Sequence, residues 1–134
     1  MEMGHLIPYA PLFASTVAVI AILSGLWQFR RTQQLTREVK AVELFLKFNE
    51  LNQQLASVIT EKERKATFWQ HNALVAITEA VYRLTSGDQS WDATVSWMLK
   101  AQEPFLTQSP VNCESFSREF VAKMKLAIPS MKCC

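Results

Sequence analysis

In this chain of 134 residues, Arg64 and His71 are the pair whose types and spacing could do chemistry. Seven residues apart, they share one face of a helix about two turns from each other, with Lys65 and Gln70 beside them. A guanidinium can hold a phosphate, and an imidazole can move a proton near neutral pH. Together they could cut RNA through its own 2′-hydroxyl. An exposed polar helix face is the simpler reading of the same residues. The sequence has no Gly-rich phosphate loop, no His-Glu-x-x-His, no paired carboxylate in an apolar setting, and no Ser or Cys nucleophile beside an obvious base. Catalysis is therefore not the leading expectation, and neither a cofactor nor a metal is expected.

A second pattern concerns assembly. Ala14, Ala18, Ala21 and Gly25 are spaced 4, 3, 4, with Ser24 and Gln28 beside the end of the stripe. Small residues let helix backbones approach closely in lipid. The same spacing continues through Thr32, Leu35, Val39, Val42 and Leu46, as in a coiled-coil seam. A homo-oligomer of parallel helices is expected, with Ser24, Gln28 and Arg31 gathered into rings at the mouth of a pore.

The elements that would position these residues divide the chain in two. From Leu6 to Phe29 there is no Asp, Glu, Lys or Arg, and every Lys and Arg lies beyond Phe29. A run of that length spans a hydrocarbon core of about 30 Å as a helix. Tyr9 and Trp27 fall near its ends, and Arg30, Arg31, Arg37 and Lys40 follow it, which places the C-terminus inside. The expectation is a single-pass protein of a bacterial inner membrane: residues 1–5 outside, a transmembrane helix 6–29, and a cytoplasmic part with only a mild positive excess. Nucleic acid is not expected as a partner.

In a reducing cytoplasm Cys113, Cys133 and Cys134 should be free thiols, and they lack the paired spacing of a zinc site. Cys113 reads as a small buried hydrophobe. Cys133 and Cys134 read as part of a solvated tail, with lipidation of the pair as the alternative.

Between Gly25 and Gly87 there is neither Gly nor Pro, so the membrane helix is expected to run on into the cytoplasm. Leu44, Phe48, Leu51, Leu55 and Val58 form one buried face. Thr60 and Glu63 form a capping box for a second helix, 61–85, with Ala66, Ala73, Ile77, Ala80 and Leu84 on one stripe. Gly87 suits a left-handed C-cap. Ser90 caps a third helix carrying Trp91, Val95, Met98 and Leu99 inward and ending near Glu103-Pro104. Ser109-Pro110 opens a fourth, with Cys113, Phe116, Phe120, Met124 and Ala127 at helical spacing. The fold class is thus all-α: one transmembrane helix continuing into a cytoplasmic four-helix bundle, 30–128, with a tail at 129–134.

Two resemblances follow. The paired arginines and the segment Lys40-Ala41-Val42-Glu43-Leu44-Phe45-Leu46-Lys47-Phe48-Asn49-Glu50 resemble a family of small bacterial single-span membrane proteins, which implies no particular activity. The spacing of Arg64 and His71 resembles the Arg-x4-6-His motif of HEPN ribonucleases, although Lys65 stands where that motif carries Asn, Asp, Gln or His. One span, a helical domain and a HEPN-like pair are together similar to the membrane accessory proteins of type VI-B CRISPR systems. That resemblance implies a pore-type effector in antiphage defence, which is the leading expectation. The alternatives are a membrane-tethered adaptor recruiting a cytoplasmic protein and a HEPN-like ribonuclease.

Overall fold

The structure, a computed structural model, describes residues 10–56 and 67–134, with side chains from Ser15 onward. Among the described residues five α-helices follow one another: α1 (Ala10–Ala56), α2 (Phe68–Leu84), α3 (Gln89–Ala101), α4 (Glu103–Gln108) and α5 (Arg118–Ala127). A 3₁₀ turn at Cys113–Ser115 precedes α5. The all-α expectation holds among the described residues. The chain forms two units, 1–36 and 37–134.

The transmembrane helix does not hold: among the described residues no helix is long and apolar enough to cross a membrane. The described side chains begin at Ser15, and Arg30 and Arg31 end the apolar run after Phe29. Ser15, Thr16, Ser24 and Gln28 dilute it. Residues 1–9, which include the expected external segment and the start of the expected span, lie outside the described residues.

In the unit 37–134, α1 contributes Ala41, Phe48 and Leu55 to the core, with Leu44, Phe45 and Leu51 packed at its margin. The seven-residue spacing of the first three brings them back to one side of the helix after two turns. Val58 and the Thr60–Glu63 box lie outside the described residues. On α2 the buried stripe is Leu74, Val75, Thr78 and Val81, one position off the expected Ala73, Ile77, Ala80 and Leu84. The reason is chemical: Thr78 and Thr85 can be buried because their hydroxyls donate to the carbonyls of Leu74 and Val81, each at 2.8 Å. That leaves the larger Leu and Val side chains free to set the phase.

Gly87, at φ +91°, turns the chain out of α2 in the left-handed region that Gly tolerates. The cap of α3 is Asp88 rather than Ser90: its carboxylate accepts from the backbone N–H of Ser90 at 2.9 Å and from its hydroxyl at 2.6 Å. These bonds hold the Asp88 carboxyl below its ordinary pKa. Val95, Met98 and Leu99 face inward as expected. α3 ends at Ala101, close to the expected stop at Glu103-Pro104, and Pro104 opens the next helix, because its missing N–H falls among donors that have no intrahelical partner.

The C-terminal part departs most from expectation. Ser109-Pro110 opens no helix; the chain there is extended, and Val111 pairs with the last residues. Its N–H donates to Lys132 O at 2.9 Å and its carbonyl accepts from Cys134 N at 3.1 Å. Cys113 and Cys133 form a disulfide across this bridge, with Cα atoms 5.5 Å apart. Free thiols and a solvated tail are both corrected: Met131 is buried, and Cys134 alone keeps an exposed thiol. The pairing follows from the bridge between Val111 and Cys133, which brings Cys113, two residues after Val111, within reach of Cys133.

Candidate interaction surface

The most distinctive surface of the unit 37–134 is the outward side of α1. Val39, Val42 and Leu46 remain 65%, 46% and 62% exposed, although Ala41 and Phe48 in the same turns are fully buried. At about 100° per residue the exposed set points roughly 150° away from the core set. It is therefore a second apolar face, not the edge of the first. Leu35, 54% exposed, has the same spacing one turn earlier.

Isolated exposed apolar side chains are ordinary, but an aligned row on a helix marks a docking face. The apolar area widens through Phe45, half-buried, which meets the rings of Trp91 and Trp97 edge-on at 6.4 and 6.1 Å. Trp97 is itself half-exposed. Charges border the row: Glu38 on one side, Glu43 and Glu50 on the other, all exposed. The expected assembly residues Leu35, Val39, Val42 and Leu46 are thus displayed to solvent.

In the unit 1–36, Ala18, Ala21 and Gly25 are exposed, and a Cβ built on Gly25 meets nothing within 4 Å. The side chain of Ala14 lies outside the described residues. Of the expected pore-mouth residues, Ser24 donates to Ala21 O at 3.0 Å and Gln28 O accepts from Thr32 at 2.9 Å. The Arg31 guanidinium lies 5.5 Å from the centroid of the Trp27 ring, close enough for a cation–π contact.

Of the Arg64–His71 pair, Arg64 lies outside the described residues. His71 is half-buried and stacked on Phe105, with centroids 4.6 Å apart and ring planes at 11°. Its Nδ1 has no hydrogen-bond partner, and burial pushes its pKa below the ordinary value. Among the described residues no group of acidic, His or Cys side chains is placed to hold a metal.

Sequence reasoning missed two features. Gln102, fully buried, donates to Thr78 Oγ1 and to Met98 O, both at 3.1 Å; a Gln at a helix junction gives no sign of that in the sequence. A cleft of about 660 Å³ is lined by Glu79, Arg83, Ser117, Arg118 and Glu119 among others. Glu79 is committed there, accepting the Ser117 N–H at 2.8 Å. Two arginines against two glutamates leave the cleft without the net charge that would select an ionic ligand.

Comparison of the chain with protein-family models, with curated proteins and with solved structures finds no match.

Proposed function

We propose that this chain is a self-assembling helical adaptor, in which the outward face of α1 joins copies and so brings their helical units, residues 37–134, together. The observation that carries this reading is the exposed row Val39, Val42 and Leu46 on the side of α1 opposite the core. The magnitudes permit it. Covering side chains this exposed is worth on the order of 2 kcal/mol each, so a pair of copies gains roughly 10–15 kcal/mol in gross terms. Association costs about 4–15 kcal/mol before any surplus appears, so the pairing is reversible rather than permanent.

The pore-type reading needs a spanning helix, the element corrected above, and the ribonuclease reading needs Arg64. The ribonuclease reading does not draw on the exposed row. Replacing Val42 and Leu46 together with Glu tests the adaptor. Light scattering on the eluted protein should show the variant as a monomer at concentrations where the unaltered chain is larger, a loss of affinity of roughly a hundredfold or more. Equal masses for the two proteins would sink the reading.

A further inference from the structure

The three cysteines, all in the unit 37–134, put a nucleophile and an electrophile on one chain. We infer that two copies link covalently by thiol–disulfide exchange, the Cys134 thiol of one copy attacking the Cys113–Cys133 disulfide of the other. Cys134 carries the free thiol and is exposed. The disulfide is open at one end only: Cys133 is exposed, whereas Cys113 is half-buried and packs against the core. Access decides which sulfur is attacked, so the reacting atom is Sγ of Cys133.

The attack comes from another copy because of the bridge. Val111 and Cys133 pair in parallel, and the backbone N–H of Cys134 completes the pairing by donating to Val111 O at 3.1 Å. Successive side chains along such an extended segment point to opposite sides. Cys133 shares its side with Met131, which is buried, and with Cys113, to which it is bonded; Cys134 takes the other. While the bridge is paired, the Cys134 thiol is turned away from its own disulfide and stays open to that of a neighbour.

The step balances without an oxidant. The Cys134 thiol gives its proton to solvent, and its thiolate bonds to Sγ of Cys133 in the second copy. The Cys113–Cys133 bond of that copy breaks, and the electron pair leaves on Cys113, which takes up a proton. One disulfide is lost, one is formed, and the number of thiols is unchanged. The link brings the two C-termini together, so the second copy's Cys134 attacks the first copy's Cys133 as an intramolecular step. The product is a two-fold dimer with two Cys134-to-Cys133 links and a free Cys113 in each copy.

The test holds the unaltered full chain at high concentration without oxygen and with a metal chelator, quenches it with an alkylating reagent, and weighs it in denaturant, where association through α1 does not survive. The expected result is a covalent dimer that a reductant reverses. In it alkylation has moved from Cys134 to Cys113, while each chain still carries one thiol. Cys134→Ser, at an exposed position, should abolish the dimer. A chain that stays single overturns the inference. So does a dimer joined Cys134 to Cys134 with its thiols consumed, or one that persists in Cys134→Ser. Each of these outcomes leaves the reading of α1 untouched.

Discussion

The two histidine-linked questions, chemistry and stability, separate at the level of one side chain. His71 is stacked flat on Phe105 with a buried, unpartnered Nδ1, so the neutral ring is the form the fold accommodates. Its folded pKa lies below the unfolded value because burial disfavours the charged imidazolium. The unfolded chain therefore binds the proton more readily than the folded one. The contribution of His71 is fully present above the unfolded pKa of about 6.5 and is lost as pH falls toward the folded pKa. Urea denaturation from pH 7.5 down to pH 5 should show stability declining over that window, and His71→Phe, which keeps a ring against Phe105, should flatten the decline. An unchanged slope in the variant would show that other groups set the pH dependence. Residues such as Thr78, Gln102 and His71 were hardest to place from sequence, because each is buried through a partner supplied by another helix or by its own preceding turn.

Helices were the legible scale. The run without Gly or Pro after Gly25, the Gly87 stop and the inward set Val95, Met98 and Leu99 all follow from local propensity and period, and the structure places them so. What local pattern could not give was phase where two faces compete. On α2, small Ala residues and larger Leu and Val residues both recur at helical spacing, and packing of the larger ones decides. On α1 both faces were readable, and both are real: one buried, one displayed. They should respond differently to truncation. Phe48→Ala, at a fully buried site, should cost about 3–5 kcal/mol of folding stability. Val42→Ala should leave the denaturation midpoint of the dilute protein within about 0.5 kcal/mol while weakening association. A Val42 variant that unfolds as readily as the Phe48 variant would mean that its face belongs to the core.

At the scale of the whole molecule, the unit 37–134 is closed by a contact between positions far apart in sequence. Val111 and the residues around Cys133 form a short bridge, the disulfide locks it, and Met131 and Ile128 fill the core beneath. Such long-range pairing leaves no periodic trace, which is why the C-terminal segment was misread. Closing a loop of this size stabilises by about 3 kcal/mol in the chain-entropy account. Cys113→Ser, or reduction of the unaltered chain, should lower the folding free energy by about that amount in thermal or urea unfolding. A loss below about 0.5 kcal/mol would show that the bridge and core contacts hold the segment without the covalent link.

The central claim is that copies of this chain associate through the outward face of α1, and sedimentation equilibrium over a wide range of protein concentration tests it most directly. The account predicts a mass rising from one chain to two as concentration increases, with the rise abolished by the combined Val42→Glu and Leu46→Glu replacement. A single-chain mass at every concentration, or a rise that the replacement leaves untouched, would contradict it.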